Sequence, residues 1–249
     1  MFIEDIHIFW YVGIGLLGLI VGRLVGLVNQ NLPEHKEIFS MQVVKEYLKT
    51  TNANYTLMFI TCIIYIALLR IIGLDDKVEL IQFLILTPML LSAFCIDYKL
   101  QIIPNRLTLT MAEVGIAFSF FRGINNLNVA VEMWLGMALG AIIFLILTYL
   151  GNLIFRKETM GFGDVKLMAA LGLFFGWRNI IAITILSFFI AAIFSIYLII
   201  KSKIKKQEID EFIPFGPFIV LASFIVMFIP LNIWIRLIFM IFTFGRYKF

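Results

Sequence analysis

The chain has 249 residues, of which 62% are hydrophobic and 14% charged, with a formal net charge of +4. A soluble domain is about half apolar and about a quarter charged, so a water-soluble globule, a disordered chain and a nucleic-acid-binding module all fit poorly. The 26 phenylalanines and a mean hydropathy of +1.01 point instead to an all-α, polytopic membrane protein.

The N-terminus opens with Glu4 and Asp5 rather than a basic region. Its apolar run is about 20 residues long and no small-residue cleavage site follows, which predicts a retained first span over 6–28 rather than a secretory signal. Further spans are expected over 56–73, 79–96, 107–122, 129–151, 165–177, 179–200 and 213–230, about eight transmembrane helices in all. Another apolar stretch, 231–244, leaves that count open by one. The short 165–177 segment meets the next across only Trp177-Arg178-Asn179, so the two form either a tight hairpin or one broken unit. Glycines recur four apart at Gly18-Gly22-Gly26 and Gly136-Gly140, a spacing that lets helices approach closely in lipid.

The connecting loops sort by charge. Most Lys and Arg fall in 31–55, 97–106, 152–166 and 201–212, while the alternate loops hold few. The positive-inside rule puts these four loops in the cytoplasm and the N-terminus outside. Arg246 and Lys248 fit less well if the C-terminal tail is external. Cys62 and Cys95 sit in apolar runs and form neither a zinc spacing nor a disulfide framework. His7 and His35 fall on opposite expected sides, so they share no metal.

Ionisable groups in or beside spans are costly, which makes each one a functional candidate. These are Arg23, Asp97, Glu113, Glu132, Asp164 and Lys166. Asp97 and Asp164 both fall at the cytoplasmic ends of spans. Two close carboxyls cannot both ionise cheaply, so one holds a proton while the other is an anion. The anion can take a proton from water and the acid can protonate a leaving nitrogen, which suffices for amide hydrolysis. Each Asp alone could equally cap a helix or face headgroups. Glu113 is expected either to face a polar interior or pair with Arg23, or to be a neutral, hydrogen-bonded acid that fixes packing, and Glu132 to snorkel. Lys166 either holds a substrate carbonyl or tunes Asp164, or it too snorkels.

The flanking residues sharpen this reading. Asp164 stands in Gly161-Phe162-Gly163-Asp164-Val165-Lys166, where Gly161 and Gly163 permit a tight turn and a close approach of another chain. Asp97 is followed by Ile103-Pro104-Asn105, and Pro104 forces Ile103 toward an extended conformation.

With these motifs in view, the chain resembles the type IV prepilin peptidases, membrane-embedded aspartyl proteases of the GxGD type. The resemblance rests on AFCIDYKLQIIPNRLTL (93–109), MGFGDVKLMAALGLFFGW (160–177) and IPFGPFIVLAS (213–223). GLIVGRLVGLVNQNLP (18–33) is similar to the family's N-terminal element, with Arg23, Gln30 and Asn31 departing from it. The resemblance implies catalytic roles for Asp97 and Asp164, with Lys166, Pro104, Asn105, Gly161 and Gly163 binding substrate or supporting the site. It implies cleavage of the basic leader from prepilin or pseudopilin precursors at the cytoplasmic face of a bacterial membrane.

Family members often also methylate the new N-terminus with S-adenosylmethionine, through a longer first loop bearing paired CxxC motifs. Here that loop is about 25 residues and holds no cysteine, which argues against a zinc site and against methylation. S-adenosylmethionine would enter only with retained methylation; the peptidase needs no cofactor. On this reading residues 1–55 are the first helix plus a shortened remnant of the methylating region, and 56–249 the peptidase bundle. A proton- or cation-coupled transporter is the rival reading of the same carboxylates. Against it, both Asp residues lie at span ends and no inverted repeat is visible. A third reading is a related GxGD protease acting on other signal peptides.

Overall fold

The computed structural model describes residues 2–3, 6–31, 54–156, 160–205, 214–229 and 233. Two two-residue strands, β1 (Phe2–Ile3) and β2 (Ile6–His7), pair antiparallel. Among the described residues seven helices follow: α1 (Ile8–Asn31), α2 (Tyr55–Ile72), α3 (Lys77–Leu100), α4 (Asn105–Asn125), α5 (Leu127–Phe155), α6 (Phe162–Lys205) and α7 (Gly216–Phe228). The first six are long and apolar enough to cross a membrane, and the chain is an all-α polytopic membrane protein. The eight expected stretches map onto these seven helices, with 165–177 and 179–200 both inside α6. The stretch 231–244 lies outside the described residues except for Ile233, as do His35 and most of the first loop.

Helix α6 has 44 residues. Straight, it would run about 66 Å, roughly twice the thickness of the hydrocarbon core. It breaks at Gly176, whose φ of 72° and ψ of 172° are not helical. The chain turns back there, because both arms reach the same point on α5. At Gly140 an added Cβ would lie 2.6 Å from the Met168 carbonyl oxygen of the first arm and 3.3 Å from Ile180 of the second. Of the two alternatives left open by the sequence, the tight hairpin is what forms. One turn away Gly136 and Gly172 bring the two backbones into direct contact, so a side chain at either would overlap the facing helix. The glycine stripe of α1 does the same against α2: an added Cβ on Gly18 would lie 2.8 Å from the Cys62 Cα.

The core sits where α3, α4, α6 and α7 converge. Leu86, Leu90, Met111, Leu167, Leu171 and Ile219 are fully enclosed there. The outward faces carry Phe59, Ile63, Leu135, Ile142, Phe189 and Ile196, all exposed, as a lipid-facing surface requires.

Lipid supplies no hydrogen-bond partners, so every interrupted backbone bond must be made good by the protein. Pro88 inside α3 has no N–H to offer the carbonyl of Leu84. The Tyr65 hydroxyl of α2 donates to that carbonyl instead, at 2.7 Å. Tyr65→Phe leaves the carbonyl unpaired, and the expected loss is about 1–3 kcal/mol. Thermal unfolding in detergent, against wild type, measures it.

Candidate active site

At one end of the bundle, the termini of α3, α4, α6 and α7 surround a cavity of about 370 Å³. Asp97 lies in the last turn of α3, where its carbonyl accepts the Gln101 N–H at 2.9 Å. Gln101 itself is left-handed, with φ of 55°, and this ends the helix before the short Ile102-Ile103-Pro104 loop. Asp164 stands in the first turn of α6, where its carboxylate also complements the helix dipole. The Gly161 backbone amide serves that carboxylate, and the Asp164 N–H donates to the Gly161 carbonyl at 3.1 Å. Another terminus is the start of α7, which Pro217 helps to begin.

Asp97 and Asp164 both line this cavity and lie close enough to interact electrostatically. Both are buried, at 4% and 6% exposure. The Asp97 Oδ2 atom is enclosed and makes no hydrogen bond among the described residues. A buried polar atom left so is uncommon, and such atoms concentrate where chemistry is done.

Gly161, Gly163, Asn105 and Lys166 line the same cavity, so six of the seven expected site residues come together. Pro104 is not part of the wall. It stands at the cap position of α4 with φ of −61° and ψ of 130°, and its carbonyl accepts the Leu107 N–H at 3.0 Å. Gly163 packs against Ile103: a Cβ there would lie 3.1 Å from the Ile103 Cβ, so the glycine lets the start of α6 approach the α3–α4 loop.

Lys166 has a partner that the sequence did not indicate. Its Nζ donates to Asn105 Oδ1 at 2.7 Å and lies 5.3 Å from the Phe162 ring centre. The ammonium thus ties the start of α6 to the start of α4. Glu113 does not face the bundle interior; it is exposed on α4. Glu132 stands 3.8 Å from Arg178 at the opposite end, beside the α6 break. Among the described residues no three His, Cys, Asp or Glu side chains converge as a metal site.

Sequence reading missed Gly216. A Cβ built there would overlap Asp97 Oδ2, and the Gly216 backbone amide faces the Asp97 carboxyl. Pro214 and Phe215 line the cavity beside it. The Gly-Pro pair opening an apolar run was a legible helix start, but nothing in the sequence indicated which carboxylate it would meet.

Residues 84–196 match the model of the type IV leader peptidase family. That match spans a little under half of the chain. Both aspartates lie within the matched segment, whereas Gly216 lies beyond it. Several relatives bear the name prepilin leader peptidase/N-methyltransferase. That of Aeromonas salmonicida is 34% identical over 144 residues, covering 58% of this chain and 47% of its own. That of Legionella pneumophila is 35% identical over 151 residues, covering 61% and 50%. That of Pseudomonas aeruginosa is 31% identical over 144 residues, covering 58% and 48%. The chain spans about half the length of the curated relatives it matches. No solved structure matches it.

Gly216→Ala forces the Asp97 carboxyl or the α7 terminus to move. Overpacking of this kind costs about 1–3 kcal/mol. The variant should insert into membranes as wild type does yet unfold at a lower temperature in detergent.

Proposed function

We propose that the protein is a membrane-embedded aspartyl endopeptidase that removes the basic leader from type IV prepilin-like precursors. The observation that carries this reading is the convergence of Asp97 and Asp164, distant in sequence, on one cavity at the end of an apolar bundle. The family match and the names of the relatives support the same activity.

The two carboxyls hold one proton between them, as close carboxyl pairs do. Water attacks the scissile carbonyl carbon and loses its proton to the ionised carboxylate, while the protonated partner donates to the carbonyl oxygen. A carbon–oxygen bond forms. The carbon–nitrogen bond then breaks, with the proton passing to the leaving amine. The two groups titrate as a pair, so neither is assigned as the permanent base. The glycines at 161 and 163 leave backbone room for an extended substrate strand, which main-chain hydrogen bonds can hold. Asn105 and Lys166 close one side of the cavity. The distribution of Lys and Arg supports a cytoplasmic site, with the apolar segment of the precursor in the bilayer and its basic leader in the cytoplasm.

N-methylation stands outside this proposal. The relatives' names include it, but the first loop here is short and holds no cysteine. Intact-mass analysis after incubation with a pilin-like precursor, with and without S-adenosylmethionine, tests both activities at once. The expected product is the cleaved precursor without an added methyl group in either case.

Asp97→Asn and Asp164→Asn should each lower cleavage by at least about 100-fold while the protein still accumulates in the membrane. Full cleavage by either variant in proteoliposomes would remove the aspartyl mechanism. The wild-type rate should fall on both sides of a pH optimum, since one carboxyl must be protonated and the other not.

A further inference from the structure

The end of the bundle opposite the cavity holds a polar chain that reaches the α6 break. A helix that stops leaves its last carbonyls without partners inside the helix. The first arm of α6 stops at Gly176, and two side chains take up its carbonyls. Asn179 Nδ2 donates to the Phe175 carbonyl at 3.0 Å, within α6 itself. Gln82 Nε2, from α3, donates to the Phe174 carbonyl at 2.9 Å. Gln82 is fully buried. Its Oε1 accepts from Arg122 Nη1 of α4 at 3.2 Å. Arg122 is held in turn by Asp76 at 3.0 Å and Glu79 at 3.2 Å. Asp76 also caps α3, accepting the Glu79 N–H at 2.9 Å.

Each link constrains the next. Arg122 offers only donors, so the Gln82 amide must turn its oxygen toward Arg122 and its nitrogen toward Phe174. The opposite flip would set oxygen against carbonyl oxygen. The arm that Gln82 grips carries Asp164 in its first turn, about 15 Å away along a rigid helix. Its sides are held by close contact with α5 at Gly136 and Gly140, but α5 carries neither carboxylate. The bond to Phe174 ties the arm to α3, and α3 carries Asp97 at its other end. One hydrogen bond therefore ties together the two helices that present the two carboxylates.

We infer that Gln82, oriented by Arg122, is a positioning residue that fixes the axial register of the Asp164 arm against the Asp97 helix. Gln82 lies outside the segment that matches the family. The inference rests on the peptidase reading for its kinetic test, and a distance measurement tests it independently.

In proteoliposomes, Gln82→Leu should lower kcat about tenfold per folded molecule with KM within twofold of wild type, because only alignment in the transition state is lost. Gln82→Glu keeps an acceptor for Arg122 but, when ionised, has no donor for Phe174; it should behave alike and serves if the Leu variant does not fold. Arg122→Gln should lower kcat in the same direction. The double variant Gln82→Leu/Arg122→Gln should be no slower than Gln82→Leu alone, as for two links of one chain. An unchanged kcat, a change confined to KM, or additive losses would each overturn the inference.

If wild type cleaves no precursor, the peptidase reading fails, and the register is then read directly. Spin labels at Leu100→Cys and Phe162→Cys, with Cys62 and Cys95 replaced by Ala, report the spacing of the two helix ends. A shifted or broadened distance distribution in Gln82→Leu supports the inference, and an identical distribution overturns it.

Discussion

The structure depends on placing two acidic side chains together at the rim of an otherwise apolar bundle. Burying a carboxyl is costly, and burying two side by side more so. The bundle meets this cost by using helix ends. Asp97 closes α3, Asp164 opens α6, and the Gly216 amide at the start of α7 faces the Asp97 carboxyl. At helix ends the backbone has free amides and carbonyls, so polar groups can gather there without interrupting a spanning segment. The cavity is the space these three termini enclose together with the start of α4.

That arrangement explains why the site was largely legible. Lipid makes each ionisable residue near a span conspicuous, and a short set of six was enough to pick out the converging pair. The spans were legible for the same reason: long apolar runs interrupted by charged loops. Even the α6 break was visible as two apolar runs meeting at Trp177-Arg178-Asn179, although the turning residue is the preceding Gly176.

What the sequence hid were contacts chosen by packing. Lys166 had carboxylates as obvious partners, yet it binds the Asn105 side-chain oxygen. Gly216 matters because of one atom of a residue far away in the chain. Glu113 was a candidate for an inward-facing acid, but the face of α4 that turns inward carries Leu107, Met111 and Gly115, with Gly115 against Leu173 and Phe174. A helix apolar nearly all round gives no periodic signal of which side is buried. Gln82 was missed for a different reason. It is polar but not ionisable, and a search for charges in spans passes over an amide.

These hidden contacts share a physical origin. In water, apolar burial drives helices together; in lipid it does not, and association relies on close packing and on hydrogen bonds. Close packing sets distance and rotation, as the Gly136–Gly172 contact does for α5 and α6. These glycine contacts do not link α6 to α3. Directional bonds between helices supply what is missing, and the most demanding partners are backbone carbonyls freed by a break or a proline. Tyr65 on Leu84 and Gln82 on Phe174 are two such bonds, both to α3 or from it. The helix that carries Asp97 is thereby tied to α2 on one side and to the Asp164 arm on the other. Satisfying the interrupted backbone and fixing the relative height of the two carboxylates are, in this fold, the work of the same hydrogen bonds.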